Sequence, residues 1–247
     1  MESVYQQNFT ITQLHTDRFG RAKPSVLLYF MQEVAGAHSQ LLQAGQDTLS
    51  EKHLFWAATR SRLQITRLPM LGETITVKTW PMPTTRVAYP RSVVAFDRDG
   101  NELFRAITLW VLVNDRTRAM VLPGKSGVEV NGTLTGSELA VPHAIATREM
   151  EHAVTRRVGY TLLDQNGHMN NTRYADYVDD LLPSHFHRLH TTADLTLCYL
   201  TEALEGEDIR LHYQLSDGPV LTVDAQRQTD EGTERVFSAQ VCYTGVL

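Results

Sequence analysis

Cysteine is scarce in this chain of 247 residues, which contains only Cys198 and Cys242. The two lie far apart in strand-like segments, so the ordinary interpretation is two buried free thiols in a reducing compartment. The sequence also lacks CxxC, HExxH and GxSxG patterns and any phosphate-binding glycine-rich loop. These absences argue against zinc enzymes, serine hydrolases and nucleotide-binding proteins. We therefore expect no cofactor and no metal.

Long apolar runs are absent as well, since no segment approaches the roughly 18 apolar residues that a membrane helix requires. Residues 1–7 show neither a basic region followed by an apolar block nor an Arg/Ser-rich composition, so we expect no signal or transit peptide. The formal charge of -5 argues against broad nucleic-acid binding, although a local basic patch could still dock an acidic partner. We expect a cytoplasmic protein, either monomer or homodimer.

What the sequence does contain is an internal repeat. Three short motifs recur in the same order, with offsets that shrink slightly along the chain. The pairs are Asp17-x-x-Gly20 with Asp164-x-x-Gly167 (164 − 17 = 147), Gly72-Glu73 with Gly206-Glu207 (206 − 72 = 134), and Gly100-x-Glu102 with Gly232-x-Glu234 (232 − 100 = 132). Loop deletions alone explain the shrinking offsets. The pattern indicates a tandem duplication.

Each repeat is predicted to form a strand, a helix and then several antiparallel strands. The first helix, over residues 24–35, is apolar on most sides and should be buried. A sheet wrapped around one central helix satisfies this pattern, and two such sheets can join edge to edge into one continuous sheet. We predict an α+β protein with an N-terminal unit (1–120), a connection where periodicity fades (121–150) and a C-terminal unit (151–247).

The two repeats differ where reactive groups would stand. Asn166 and His168 occupy the positions of Phe19 and Arg21 in the first repeat. Imidazole titrates near neutral pH, so His168 is a candidate acid, base or oxyanion partner. Asn166 could orient a water molecule or donate to an oxyanion, although turn formation before a glycine would also explain it. A helical pattern from Thr172 to Pro183 follows, and its first N–H groups could stabilise an oxyanion.

Two acids complete the set of candidates. Asp164 could fix the neighbouring side chains, but Asp17 stands at the matching place, so a structural role is equally open. Glu202 comes just before a turn where the first repeat has Leu68, which makes it a candidate general base. A solvated acid at a strand end is the alternative interpretation.

The motif Asp164-x-Asn166-x-His168-x-x-Asn171-x-x-Tyr174 resembles that of the acyl-acyl-carrier-protein (acyl-ACP) thioesterases, which have a double hotdog fold. Supporting pieces are Trp56, Arg67-x-Pro69, Gly72-Glu73, Thr79-Trp80, Trp110-Val111-Leu112, Thr117-Arg118, Leu122-Pro123, Tyr199 and Glu202 before Gly206. The resemblance implies hydrolysis of a fatty acyl thioester in fatty acid biosynthesis, with acyl carrier protein as partner. It implies a catalytic centre at Asn166, His168 and Glu202, with Asp164 as a helper.

One departure from the family concerns the residue after the acid. Plant members have a cysteine there, whereas this chain has Ala203, so direct attack by water is favoured over a cysteine nucleophile. Together with the expected lack of a transit peptide, this suggests a bacterial member. The acyl chain is expected between the helix and sheet of the first unit. Wall candidates are Leu27, Leu28, Met31 and Trp56, although core packing would also explain each of them. Candidates for carrier docking are Arg116, Arg118, Arg156 and Arg157, although a solvated surface would also explain them.

Three alternatives remain open. An acyl-CoA thioesterase of the same fold would need cations for the CoA phosphates, which the sequence does not separate from a carrier-protein patch. A hotdog dehydratase would need a helical carboxylate facing the histidine, for which Asp176 and Asp179 are available. A non-catalytic acyl-binding module is the third. The sequence leaves chain-length and saturation preferences open.

Overall fold

The computed structural model describes residues 3–146 and 149–246, which form two compact units, Met1–Val141 and Pro142–Leu247. Each unit contains an antiparallel sheet and one main helix. Across the described residues, no helix combines the length and apolar character needed to cross a membrane.

The N-terminal unit has a sheet in the order β1-β3-β4-β5-β2, with β6 paired to the end of β5. All of these pairs are antiparallel. The strands are β1 (Tyr5–Thr10), β2 (Leu54–Ile65), β3 (Thr74–Pro81), β4 (Tyr89–Phe96), β5 (Glu102–Asn114) and β6 (Met120–Val121). The helices are α1 (Pro24–Leu41), α2 (Gln46–Glu51) and α3 (Pro123–Ser126).

Helix α1 is the central helix of this unit. Pro24 occupies its first turn, where the missing N–H has no intrahelical partner to lose. Leu27 and Val34 are fully buried, while Tyr29 and Glu33 face solvent. The helix packs against β1 and β3. The predicted buried helix is confirmed and extends beyond residue 35 to Leu41.

The C-terminal unit has a sheet in the order β8-β11-β10-β9-β7. Its strands are β7 (His152–Arg157), β8 (His190–Tyr199), β9 (Asp208–Leu215), β10 (Val220–Thr229) and β11 (Gly232–Gly245). Its helices are α4 (Arg173–Asp179) and α5 (Ser184–Leu189). The predicted single helix up to Pro183 was wrong in extent: α4 ends at Asp179, and Pro183 instead precedes α5, where its fixed φ suits a helix start.

The two sheets repeat each other strand by strand, since β1-β3-β4-β5-β2 corresponds to β7-β9-β10-β11-β8. Irregularities fall at matching places, between Ala95 and Phe96 in β4 and between Ala225 and Gln226 in β10. The duplication predicted from the sequence is therefore present in the structure.

Between α3 and β7 the described residues form no helix or strand. Glu138 anchors part of this segment, because its carboxylate accepts hydrogen bonds from Trp80 Nε1 (3.1 Å) and Thr135 Oγ1 (2.9 Å). Burial pushes the pKa of Glu138 upward, but hydrogen bonds from Thr135 and Trp80 outweigh it and lower the pKa to about 2. Glu138 therefore ties the segment to β3 as a charged acceptor.

Candidate active site

The turn that carries the candidate residues is built by Asp164. Its Oδ1 accepts the N–H of Asn166 at 2.8 Å, and its carbonyl oxygen accepts the N–H of Gly167 at 3.0 Å. The N–H of Asp164 in turn donates to the carbonyl of His168 at 2.8 Å. Gly167 has a φ of 79°, which favours glycine. Asp164 thus holds the backbone from which Asn166 and His168 project.

The first unit contains the same turn without the reactive side chains. Asp17 Oδ1 accepts the N–H groups of Phe19 (2.8 Å) and Arg21 (3.0 Å), and Gly20 has a φ of 77°. The Arg21 guanidinium also pairs with Asp17 and lies over the Phe19 ring, 4.8 Å from its centroid. Because both turns need the aspartate, its structural role at position 164 is accounted for by backbone geometry alone.

His168 and Glu202 are brought together by a short backbone pairing. The Met169 N–H donates to the Ala203 carbonyl at 2.8 Å, and His168 forms an antiparallel bridge with Leu204. The His168 Nε2 and Glu202 Oε2 atoms are 3.2 Å apart, and the two side chains are 19% and 40% exposed. Because a carboxylate only accepts, this pairing places the hydrogen on Nε2 and the lone pair of a neutral ring on Nδ1. The pair is accessible to water.

The equivalent bridge in the first unit joins Arg21 to Met70. Leu68 precedes Met70 by two residues, just as Glu202 precedes Leu204, so the two occupy corresponding places. Leu68 is 8% exposed and belongs to the core. The exchange of a buried leucine for an acid in contact with a histidine is thus a local difference between two otherwise similar turns.

Asn166 is exposed on the same turn, two residues before His168. Two N–H groups at the start of α4 are already engaged, because Asn170 accepts those of Thr172 (3.0 Å, at Oδ1) and Arg173 (2.9 Å, at its carbonyl). These two groups already bond within the chain, so oxyanion stabilisation by other N–H groups near the helix start stays a prediction. The residue directly before α4 is Thr172. The side-chain amide of Asn166 remains the neutral donor of this turn.

Arg227 on β10 is a residue that the sequence analysis missed. Its Nη1 donates to the backbone carbonyl of Glu202 at 2.7 Å, and the guanidinium pairs with Glu207 and Glu234. Tyr174 also lies close, with its hydroxyl hydrogen-bonded to the backbone of Ala203 and its pKa raised by burial. No sequence motif includes Arg227. It occupies the position of Asp97 in the first unit, so a cation stands where the first unit has an acid, just as Glu202 stands where the first unit has Leu68.

The predicted acyl-chain wall residues lie on α1 and on β2 of the first unit. Leu27, Leu28 and Met31 are buried on α1. Trp56 on β2 packs edge-on to Tyr89, with 4.9 Å between the ring centroids. Its indole Nε1 donates to a backbone carbonyl just after α1, at 2.9 Å. That these four residues line the acyl chain stays a prediction.

The predicted docking arginines are all at least partly exposed. Arg116 and Arg118 lie in the turn between β5 and β6, and the Arg118 guanidinium lies over the Phe55 ring at 5.1 Å. Arg157 on β7 pairs with Asp208 at 3.4 Å, which neutralises part of its charge, while Arg156 is half-buried.

Within residues 3–146 and 149–246, no group of three or more His, Cys, Asp or Glu side chains is arranged to hold a metal ion. Both cysteines are free. Cys198 is buried, and its Sγ lies 3.9 Å from the carbonyl of His143, whereas Cys242 is only partly buried, contrary to expectation.

Comparison with known proteins gives consistent matches along the chain. The family model "Acyl-ACP thioesterase N-terminal domain" matches residues 2–122, and "Acyl-ACP thioesterase C-terminal domain" matches residues 146–240. The palmitoyl-acyl carrier protein thioesterase (chloroplastic) of Gossypium hirsutum is 27% identical over 217 residues, covering 81% of this chain and 52% of that protein. Its counterpart from Cuphea hookeriana is 24% identical over 214 residues, with the same coverage. The chain spans about half the length of these curated relatives.

Solved structures match over almost the entire chain. An acyl-ACP thioesterase from Bacteroides thetaiotaomicron has a TM-score of 0.88 at 24% identity, covering 98% of both chains. The 12:0-ACP thioesterase from Umbellularia californica has a TM-score of 0.83 at 21% identity, covering 100% of this chain and 99% of that one. These matches confirm the predicted double hotdog fold. Because the two family models together cover most of the sequence, the chain belongs to the acyl-ACP thioesterase family.

Proposed function

We propose that this protein hydrolyses the thioester of fatty acyl-ACP and releases a free fatty acid, a reaction of fatty acid biosynthesis. The observation that carries the proposal is the water-accessible pair of His168 Nε2 and Glu202 Oε2, 3.2 Å apart, in a chain of this family. A carboxylate and an imidazole in contact are suited to removing a proton from water.

The reaction consists of one addition and one elimination. Glu202, held against His168, accepts a proton from water as the water oxygen bonds to the thioester carbonyl carbon. The Asn166 amide donates to the carbonyl oxygen as negative charge develops there. Collapse of the tetrahedral intermediate breaks the carbon–sulfur bond, and the departing thiolate takes up the proton. The products are a fatty acid and the free thiol of the carrier.

Water is the proposed nucleophile because the chain offers no suitably placed thiol. Ala203, which follows the acid, is fully buried. Cys198 is buried within β8, beside the His143 carbonyl. It therefore does not lie on the turn that carries Glu202. A covalent acyl-cysteine intermediate therefore has no support.

The dehydratase alternative is less well supported. It needs a carboxylate on the helix that faces the histidine, but Asp176 on α4 pairs with Arg173 at 3.2 Å. Asp179 is the last residue of α4, at the end of the helix away from the turn that carries His168.

Acyl carrier protein is the proposed carrier, since the curated relatives are named for it. Carrier protein is acidic, so Arg116, Arg118, Arg156 and Arg157 are the proposed docking residues. Charge reversal at these positions is expected to raise KM for acyl-ACP but not for a small thioester. Equal effects on both substrates would contradict docking. The cytoplasm stays the predicted compartment.

The deciding experiment is a hydrolysis panel of acyl-ACPs and acyl-CoAs of varied chain length. We expect acyl-ACP to be the better substrate, and His168→Ala and Glu202→Ala each to lower kcat about 10²- to 10⁴-fold. The matched control is Arg67→Ala, in the corresponding turn of the first unit, and this variant should keep the kcat of the wild type. Hydrolysis of acyl-CoA alone would favour the acyl-CoA thioesterase alternative, and hydrolysis of neither would overturn the proposal.

A further inference from the structure

The turn that carries Glu202 is hydrogen-bonded to the sheet through one arginine that is mostly buried. Arg227 Nη1 donates to the Glu202 carbonyl at 2.7 Å and to Glu207 Oε2 at 2.6 Å. Its Nε and Nη2 donate to Glu234 Oε2 at 2.9 and 2.7 Å. The Arg227 side chain is only 14% exposed. A single guanidinium thus joins the Glu202 backbone to two carboxylates from other parts of the unit.

The same two carboxylates hold the neighbours of Glu202. The Leu204 N–H donates to Glu207 Oε2 at 2.9 Å, and Thr201 Oγ1 donates to Glu234 Oε1 at 3.3 Å. Leu204 is also the residue whose backbone pairs with His168. Residues on both sides of Glu202 are therefore tied to one network around Arg227, and that network fixes the backbone from which the Glu202 side chain reaches His168.

The first unit closes the matching turn differently. Ala95 in β4 pairs with Val77 and Phe104, as Ala225 in β10 pairs with Leu211 and Phe237. Two residues after these alanines stand Asp97 and Arg227, which therefore correspond. In the first unit the cation is Arg67, which precedes Leu68 and pairs with Glu73 (2.9 Å) and Asp97 (3.6 Å).

The cation beside this turn therefore comes from a different part of the chain in each unit. In the copy with the leucine, Arg67 is 44% exposed and lies next to Leu68 in sequence. In the copy with the acid, the cation comes from β10 and bonds to the carbonyl of the acid itself. Its charge is matched by Glu207 and Glu234, so it holds the Glu202 backbone while the Glu202 carboxylate contacts His168.

We propose that Arg227 is a positioning residue for Glu202: it holds the turn so that the carboxylate stays within hydrogen-bonding distance of His168. The inference rests on the proposed thioester hydrolysis. Misplacement of a reacting group by about 1 Å can slow a reaction about 100-fold. We therefore expect Arg227→Met to lower kcat about 10- to 100-fold with KM unchanged, and Arg227→Lys to recover only part of the loss because lysine lacks the planar fork.

The test is a double-mutant cycle on the full chain with acyl-ACP as substrate. Arg227→Met is measured in the wild-type background and in Glu202→Ala, and Arg67→Met is the matched control in the first unit. Because Arg227 acts through Glu202, its loss should lower kcat less than twofold once Glu202 is absent. An equal loss in both backgrounds would overturn the proposal. If Arg227→Met does not fold, Glu207→Gln weakens the same network and enters the same cycle.

A second measurement is independent of turnover. The imidazole nitrogen signals of His168, assigned with His168→Ala, should shift in Arg227→Met and stay unchanged in Arg67→Met. Unchanged signals in Arg227→Met would contradict positioning even if hydrolysis is established. Conversely, a shifted signal in a protein that hydrolyses no acyl thioester would leave the positioning intact and refute the proposed function.

Discussion

Glu202 and Leu68 occupy matching places in the two units, so replacing each by the other separates catalysis from stability. Glu202→Leu removes a side chain that is 40% exposed, and with it a partly exposed ion pair with His168. Pairs of this kind contribute about 0.2–1 kcal/mol. We expect the free energy of unfolding to change by less than about 1 kcal/mol.

The effect of Glu202→Leu on catalysis should be far larger. Loss of a general base lowers the rate about 10²- to 10⁴-fold. At about 1.36 kcal/mol for each factor of ten, this is roughly 2.7–5.4 kcal/mol of transition-state stabilisation. The variant should therefore fold almost as well as the wild type and hydrolyse acyl-ACP very slowly.

Leu68→Glu should show the opposite behaviour. Leu68 is 8% exposed, and burying a leucine side chain stabilises a protein by about 1.5–3 kcal/mol, to which the burial of a carboxylate adds a penalty. We expect a loss of at least about 2 kcal/mol in stability with little change in kcat below the unfolding transition. Urea unfolding followed by tryptophan fluorescence, with acyl-ACP hydrolysis on the same samples, measures both quantities. Activity of Glu202→Leu within threefold of wild type, or unchanged stability of Leu68→Glu, would refute the reasoning.

Three further predictions concern residues that hold the fold. Asp164→Ala removes the acceptor for the Asn166 N–H and should lower stability by about 1 kcal/mol. Asp164→Asn keeps an acceptor oxygen and should retain kcat within threefold of wild type. If Asp164→Asn lost as much kcat as Asp164→Ala, the charge itself would have a role. Glu138 has a pKa of about 2 in the folded chain, so its contribution to stability is present above pH 4.5 and is lost as the pH falls from 4.5 to 2. Glu138→Gln should flatten that part of the stability–pH curve, and an unchanged curve would contradict the anchor. Arg235 Nε donates to the buried Asp224 at 2.7 Å, and Gln226 Nε2 donates to the same carboxylate at 2.9 Å. Because the Arg235 side chain is 35% exposed, Arg235→Met should destabilise by about 1–3 kcal/mol in urea unfolding, with recovery on adding Asp224→Asn. A change below about 0.5 kcal/mol would show that Gln226 alone compensates Asp224.

The repeat was predictable because its markers have local physical causes. The glycines in the matching turns adopt positive φ values, 77° at Gly20 and 79° at Gly167, so each copy needs glycine there whatever its function. The aspartate three residues earlier accepts backbone N–H groups of its own turn. Such requirements are readable in any sequence because they involve neighbours along the chain.

Other features depend on contacts that the sequence does not contain. Arg227 bonds to a backbone carbonyl 25 residues away (227 − 202), and a carbonyl leaves no signature in residue type. The end of α4 at Asp179 was missed because the apolar spacing continues to Leu181 and Leu182 beyond the helix. In both cases tertiary contacts decide the outcome, and the local pattern does not show them.

The duplication explains why a candidate site could be added to one copy at little expense in stability. The backbone bonds of the two turns come from Asp17 or Asp164 and from main-chain groups, and none of them requires the side chains at positions 166, 168 or 202. Those three positions are at least partly exposed in the second unit, so polar groups there are not buried without partners. The turn that brings Glu202 to His168 is a scaffold that both copies share, and the substituted side chains lie on its surface. Residues that differ between the two copies therefore indicate the site more specifically than the motif alone does. Glu202 differs from Leu68 in this way, and Arg227 differs from Asp97.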